Sequence, residues 1–127
     1  MKSKHQIALA MLVGAALGGA AVQGLNAQAK PKAYIVTESE VLDQAALAAY
    51  TPKAQAAAKA AGGAPGLIAT GRIIAVVGEA PKRITASEWP SADQAQAYLK
   101  SQERSALDAD RAKAFKTVRQ FIVERPN

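Results

Sequence analysis

Arginine, tyrosine and glutamate side chains are the groups in this sequence whose types and spacing could do chemistry. Arg83 and Glu88 stand near the two ends of one predicted strand. Their odd spacing places the two side chains on opposite faces of that strand, so they cannot form one charge pair. If Glu88 points into a buried interior, it is a candidate general base. The alternative is a carboxylate that pairs with a cation from another element or lies exposed at the strand end.

Three further side chains, Tyr34, Tyr98 and Arg111, are candidates for ligand binding. A phenol and a guanidinium at the open end of a sheet could hold a small carboxylate or an enolate, since the arginine fork donates two parallel hydrogen bonds. Tyr34 can instead be a core residue with its hydroxyl at the rim, and Tyr98 can belong to an ordinary apolar stripe of its helix with Ala95. Arg111 can equally belong to a solvated cluster of charges with Asp108 and Asp110.

Several common kinds of site are excluded by residue type or by position. The chain has no cysteine, and its one histidine is His5. The commonest general base and the usual transition-metal ligands are therefore missing from the rest of the chain, and a hydrolase triad has no base. The glycines 62, 63 and 66 follow a predicted helix, which indicates a helix C-cap and not a phosphate loop. Asp108 and Asp110 lack the other ligands of a calcium loop. We expect no metal and no cofactor.

The first 29 residues have the pattern of a Sec-type signal peptide. Lys2 and Lys4 precede sixteen apolar or small residues at 7–22, and an Ala-x-Ala site ends at Ala29. We therefore predict cleavage after Ala29, a periplasmic or secreted location, and a single domain at 30–127. The alternative is an uncleaved anchor that dimerises through Gly14 and Gly18, although sixteen residues fall short of the roughly 20 that cross a bilayer.

Charge and composition also limit the partners of the predicted domain. The 127-residue chain has a net charge of +6, which the loss of Lys2 and Lys4 would lower to +4. Lys82-Arg83 is the only adjacent basic pair after the signal segment, and acidic residues lie near most other cations. Nucleic-acid binding would need a clustered basic face with interleaved aromatic residues, so we expect no nucleic-acid partner.

The order of elements predicts an α+β domain of the split-βαβ, or ferredoxin-like, kind. Alternating β-branched and aromatic residues predict strands at 32–41, 67–77, 82–89 and 115–124, the second and third forming a hairpin across a turn at 78–81. A helix begins after Asp43 and runs to 61, and Thr51-Pro52 should start a second helical segment within it. Ser91 and Gln94 form a capping-box pattern that opens another helix to about residue 100. Residues 101–113 are polar and compatible with a helix. The resulting order is β-α-β-β-α-β.

With this order, the sequence resembles the family of domains of unknown function numbered 1330. The residues that carry the resemblance run from one end of the domain to the other: Lys32-Ala33-Tyr34, Val41, Asp43, Tyr50, Gly62-Gly63, Pro81-Lys82-Arg83-Ile84, Glu88-Trp89-Pro90-Ser91, Ala95, Tyr98, Ser101, Glu103, Leu107, Arg111 and Val123-Glu124. The sequence departs from the family pattern at Arg104, where an aromatic residue is usual, and at Trp89, which replaces phenylalanine.

The resemblance implies a homodimeric α/β-barrel, in which two sheets face each other and the helices lie outside. It implies no chemistry, and three hypotheses follow. The first is an exported protein that binds a small anionic or aromatic molecule in the barrel cavity. The second is a cofactor-free oxygenase or isomerase, with Glu88 as base and Tyr34 or Arg83 stabilising an enolate. The third is a structural or assembly role that needs no enclosed cavity.

Overall fold

The computed structural model describes residues 30–68 and 71–127. The predicted signal peptide, residues 1–29, lies outside the described residues, and so does its cleavage site. The described elements follow one another as β1 (Ala33–Val41), α1 (Gln44–Ala60), β2 (Ala64–Ile68), β3 (Arg83–Trp89), α2 (Ala92–Leu99), α3 (Gln102–Ser105), α4 (Asp108–Ala114) and β4 (Phe115–Glu124).

The four strands form one antiparallel sheet in the order β2-β3-β1-β4. The order places β1 and β3 at the centre, with β4 and β2 at the edges. Along β1 the residues Ala33, Ile35, Thr37 and Ser39 are buried, and their neighbours are less so. This period of two shows that the helices cover one face of the sheet. The predicted α+β, ferredoxin-like arrangement is confirmed at this level.

Side-chain caps fix where the helices begin. Asp43 accepts a hydrogen bond from the Ala46 amide (2.8 Å), and Ser91 accepts one from the Gln94 amide (3.2 Å). Each bond satisfies an amide that has no partner inside its helix. The helix start predicted at Ser91 is therefore found.

A second helical start at Thr51 is not found, and α1 is one helix with Pro52 inside it. The Thr51 hydroxyl donates to the Leu47 carbonyl oxygen (2.8 Å) instead of capping a new segment. The alanine-rich sequence on both sides favours helix strongly enough to continue through the proline. At the far end Gly62, with φ of 98°, provides the left-handed residue that stops the helix.

The predicted second strand is misplaced. β2 covers Ala64–Ile68, and residues 71–82 contain no strand although they include Ile73, Ile74, Val76 and Val77. Val76 and Val77 are each 93% exposed. Strand propensity alone does not form a strand, because a strand also needs a neighbour to pair with. Within the protomer β2 pairs with β3 at Glu88 and Ala86, on the edge of β3 that faces away from β1.

The core between sheet and helices consists of two clusters. The larger contains Ile35, Ala58, Trp89, Ala95 and Tyr98. In the smaller, Tyr50 packs edge-on against Phe115, with ring centroids 5.5 Å apart, beside Ala114. Small alanine side chains let α1 and α2 approach the sheet closely. Within residues 30–68 and 71–127, no helix has the length and apolar character needed to cross a membrane.

Candidate functional site

A cavity of about 590 Å³ lies between the helices and the covered face of the sheet, and it is partly open to solvent. Its volume is within the range of small-molecule sites. Apolar wall is provided by Ile35, Ala54, Ala58, Leu99 and Phe115. The cavity lies within one protomer, whereas the sequence led us to expect a cavity enclosed between two sheets of a dimer.

The sheet provides a polar floor to this cavity. Thr37 of β1 and Thr85 of β3 are register partners, so their side chains lie on the same, helix-covered face. Gln120 of β4 donates to the Thr37 hydroxyl (3.0 Å). Ser87, the next residue on this face of β3, accepts a hydrogen bond from the Trp89 indole N–H (2.9 Å). Hydroxyl and amide groups on the sheet can therefore orient a ligand through hydrogen bonds.

Arg83 enters the cavity from the first position of β3. It pairs in register with Ser39, which is fully buried, and its Nη1 donates to the Ser39 hydroxyl (3.0 Å). Its guanidinium carbon lies 5.6 Å from the centroid of the Phe115 ring, a cation–π contact. Burial lowers the pKa of Arg83 below its ordinary value, though a guanidinium stays charged at neutral pH. Among the described residues no carboxylate forms an ion pair with it.

Arg104 is the second cation of the cavity, and it is more deeply buried. Only 10% of its side chain is exposed, and its Nη1 donates to Asp108 Oδ1 (2.9 Å). The same oxygen accepts a hydrogen bond from Arg111 Nη2 (3.1 Å). Arg111 thus belongs to a charge cluster on the outer side of α4 and does not line the cavity.

Two tyrosine phenols complete the lining. Burial raises the pKa of Tyr50 and that of Tyr98, while the nearby Arg104 opposes the rise in both. Arg83 lowers the pKa of Tyr50 as well, and Asp108 raises it. Both phenols therefore stay neutral at pH 7. No side-chain hydrogen bond among residues 30–68 and 71–127 is donated by either hydroxyl, so both can donate to a ligand.

The five predicted site residues lie in three separate places, one of which is the charge cluster of Arg111 with Asp108. Arg83 and Tyr98 both line the cavity. Tyr34 and Glu88 are register partners on the other face of the sheet, opposite the cavity. Arg83 and Glu88 lie on opposite faces, in agreement with their odd spacing. The structure therefore brings together two of the five candidates and leaves three outside.

Within the protomer, Glu88 is a paired and partly exposed carboxylate and not a buried one. Its Oε1 accepts a hydrogen bond from Lys32 Nζ (2.8 Å), and 29% of its side chain is exposed. The pKa of Glu88 is lowered, chiefly by that hydrogen bond, with smaller contributions from the Tyr34 hydroxyl and Arg125. The base role required a buried carboxyl with a raised pKa. Glu88 instead matches the alternative reading, a carboxylate paired with a cation from another element.

Sequence reasoning missed Tyr50 and Arg104 as cavity residues. In the sequence, Tyr50 stands out only as one of the residues that carry the family resemblance, and Arg104 only as a departure from the family pattern. The helix around Arg104, α3, has four residues and is too short to show which side of it is buried. No group of three or more acidic or histidine side chains in residues 30–68 and 71–127 is placed to bind a metal ion.

A β2-β3-β1-β4 antiparallel sheet with helices on one face and a cavity beneath them defines a ferredoxin-like α+β domain. The chain belongs to the family described as a domain of unknown function, DUF1330, whose model matches residues 32–125.

The fold is similar to that of the RPA0582 protein of unknown function from Rhodopseudomonas palustris, with a TM-score of 0.60 and 13% sequence identity over 81% of this chain and 91% of that one. The structure of methylated RPA0582 gives a TM-score of 0.59 at 13% identity, covering 82% of this chain and 90% of that one. No curated protein matches the chain.

Proposed function

We propose that the protein binds a small organic molecule, anionic or aromatic, in the cavity between its helices and its sheet. The observation that carries the proposal is the composition of the cavity lining: two guanidinium groups and two phenols over a polar floor, with no carboxylate among the lining residues. Withdrawing a guanidinium from water is costly unless it is paired, so a cavity that holds the half-buried Arg83 without a carboxylate partner favours a ligand with negative charge.

Binding without turnover is the function that this lining supports best. Between residues 30 and 127 the sequence contains neither histidine nor cysteine. The one acid considered as a base, Glu88, lies on the other face of the sheet and has a lowered pKa. The remaining polar groups of the cavity are suited to hydrogen bonding and charge recognition, not to proton abstraction at neutral pH.

A thermal-shift screen tests the proposal. The protein is heated with a panel of small carboxylates and phenols, because any ligand that binds only the folded state raises the melting temperature. Selected hits are then titrated against the Tyr98→Phe variant, which keeps the ring and removes one cavity hydroxyl. We expect several hits and weaker binding by the variant. A melting temperature that no compound raises would refute a binding function.

We also propose that the domain is a homodimer in which the uncovered sheet face of one copy meets that of another. Phe121 and Val123 of β4 are 48% and 44% exposed and pair in register with Val36 and Tyr34 on this face. Exposed apolar side chains in a contiguous patch are typical of an interaction surface. Light scattering of residues 30–127 over a range of concentrations should give twice the monomer mass, and a monomer throughout would contradict the proposal.

Export is the third part of the proposal and rests on the sequence pattern of residues 1–29. The full chain, expressed in a bacterium with an intact Sec system, should be recovered from the periplasm with a mass that corresponds to cleavage after Ala29. Replacing Ala27 and Ala29 by a bulkier residue should leave the precursor uncut. An intact chain in the membrane fraction would favour the anchor instead.

A further inference from the structure

The side chains that line the cavity have a net positive charge, and the size of that charge indicates what kind of anion can bind there. Arg83 and Arg104 are the only ionised side chains in the lining. Arg104 already has a partner in Asp108, whose Oδ1 is 2.9 Å from its Nη1. Arg83 has only the neutral Ser39 hydroxyl. Counting the lining and its direct ion pair, one positive charge remains without compensation, and it lies on Arg83.

The remaining cation of the neighbourhood, Arg111, affects this balance little. It is not among the lining residues, and it shares with Arg104 the carboxylate of Asp108, whose side chain is 55% exposed to water. Charge at the surface is screened by solvent and salt much more effectively than charge inside the cavity. The charge of Lys53, whose side chain is 59% exposed, is compensated by its surface ion pair with Asp110. The field that a bound molecule meets is therefore mainly that of Arg83.

The two arginines are held in place by different contacts, and we assign them different roles: Arg104 is a fixed part of the cavity wall, and Arg83 is available to a ligand. Arg104 is fixed by its bond to Asp108 and by burial. Arg83 is held over the Phe115 ring and against Ser39 by contacts with neutral groups. A guanidinium has five N–H donors in a planar fork, so the single bond to Ser39 leaves most of them available. Arg83 is thus prepared for a planar oxyanion.

The rest of the cavity fits the body of such a molecule. The Tyr98 ring stacks on the buried Trp89 ring and lines the cavity together with Leu99. Ala54 and Ala58 of α1 also line the cavity, and their small side chains leave space. Tyr50 and Tyr98 contribute neutral hydroxyl donors near the cations. An apolar or aromatic body on this wall places its charged end at Arg83.

We propose that the ligand is an organic monoanion with a single carboxylate, whose carboxylate binds Arg83 and whose apolar body lies against Tyr98 and Leu99. This inference rests on the proposed binding function and adds to it the charge of the ligand and the residue that recognises it. A phosphate monoester, with up to two negative charges, would exceed the one uncompensated charge. Phosphate sites also commonly use the N-terminus of a helix, and none of the lining residues lies in the first turn of a helix except Arg104 of the four-residue α3.

The test uses matched triplets of probes on the domain 30–127, measured by calorimetric titration. Each triplet contains an aromatic or aliphatic monocarboxylate, its primary amide and the phosphate monoester of the corresponding alcohol. We expect the carboxylate to bind at least roughly tenfold more tightly than the amide and more tightly than the phosphate, because a charged hydrogen bond is lost with the amide. Equal binding of acid and amide, or tighter binding of the phosphate, would overturn the inference and leave the binding function standing. Failure of every probe would refute both.

A pair of variants locates the recognition. Arg83→Gln keeps a donor for Ser39 and removes the charge, and should weaken carboxylate binding roughly tenfold to a hundredfold while changing amide binding little. Lys82→Gln removes the same charge from the neighbouring residue, whose ammonium is 73% exposed and pairs with Glu40. It should change carboxylate binding by less than about twofold. Equal effects of the two variants would mean that net charge, and not Arg83, governs binding. Circular dichroism of each variant confirms that it is folded.

Discussion

The rings of Trp89 and Tyr98 are stacked, with centroids 4.8 Å apart and an angle of 25° between their planes. Trp89 is the last residue of β3 and is 1% exposed, whereas Tyr98 belongs to α2 and lines the cavity. The same contact therefore joins sheet to helix and fixes one wall of the proposed site. Because Trp89 cannot move without disturbing the core, the position of the Tyr98 ring is set by packing.

Gly63→Ala should destabilise the protein through Trp89. A Cβ added at Gly63 would lie 2.5 Å from Cζ2 of the indole ring, and that ring has no free space to move into. Overpacking of this kind costs about 1–3 kcal/mol. Urea denaturation monitored by circular dichroism measures the change in the free energy of unfolding.

Gly71→Ala is the matched control for this prediction. No heavy atom lies within 4 Å of a Cβ built at Gly71. The same substitution there should leave the stability unchanged or raise it by up to about 1 kcal/mol, since alanine restricts the unfolded chain. Equal stabilities of the two variants would show that the approach of Gly63 to the indole is not tight.

Asp108→Asn should destabilise the folded state by leaving Arg104 without its ion pair. The Arg104 side chain is 10% exposed, so water cannot replace the lost carboxylate fully. Removing one partner of such a pair costs about 1–3 kcal/mol. The measurement is the midpoint of thermal or urea unfolding at neutral pH.

Asp110→Asn makes the same chemical change in the same first turn of α4, so that helix-dipole effects are matched. Asp110 pairs with Lys53, whose side chain is 59% exposed. Surface pairs contribute about 0–1 kcal/mol, and we expect a correspondingly small loss. If Asp110→Asn proved as costly as Asp108→Asn, the Arg104 ion pair would have no special role in stability.

Tyr50→Phe should make the protein more resistant to alkali. Burial raises the pKa of Tyr50 in the folded state above the ordinary 10.0. The contribution of neutral Tyr50 to the free energy of unfolding is complete below the pKa of tyrosine in the unfolded chain. It is lost as pH rises towards and through the pKa of Tyr50 in the folded state, because the unfolded chain releases the phenol proton first. The loss therefore begins at about pH 10, and a phenylalanine removes it.

The measurement compares the free energy of unfolding of the two proteins from about pH 8 to about pH 11. Near pH 8 the difference between them reports only the lost hydroxyl and serves as the internal control. Above pH 10 the curve of the parent should fall more steeply than that of Tyr50→Phe. Parallel curves would mean that Tyr50 ionises as readily in the folded as in the unfolded chain.

Three strands of the sheet and two helix starts, at Asp43 and Ser91, could be predicted from sequence because their signals are local. β1 alternates buried and less buried residues along its whole length, and Ser91 caps α2 with its own side chain. The position of β2 could not be predicted in this way. Ala64-Pro65-Gly66 has the composition of a turn, yet it pairs with β3 through backbone hydrogen bonds set by the fold. Four of the five residues 73–77 are β-branched and have the propensity of a strand, but they pair with no strand in the part of the chain that the structure describes.

The candidate site was less predictable than the fold, for a geometrical reason. Spacing shows which residues share a face of one element, as it did for Arg83 and Glu88. It does not show which face another element will cover. Because the helices cover the face of Arg83, Glu88 lies outside the cavity of the protomer, whereas Tyr50 lines that cavity from α1. Such facts depend on tertiary packing and appear only in the structure.

Phe121→Glu should dissociate the proposed homodimer. Phe121 pairs in register with Val36 on the uncovered face of the sheet and is 48% exposed. In an interface with two-fold symmetry every residue appears twice, so one substitution buries two carboxylates. Burial of unpaired charge is strongly unfavourable, and we expect the dimer dissociation constant to rise at least about a hundredfold. Sedimentation equilibrium measures it.

Gln96→Glu is the control for Phe121→Glu, because it adds the same charge at an exposed position of α2, on the helical side of the protomer. Its dissociation constant should equal that of the parent if the uncovered sheet face is the interface. If Gln96→Glu dissociates the dimer and Phe121→Glu does not, the helices form the contact.

A cavity that opens beneath the helices would then lie near the partner, and ligand affinity would depend on protein concentration. With the sheet face as the interface, carboxylate binding should be the same for the parent and for monomeric Phe121→Glu.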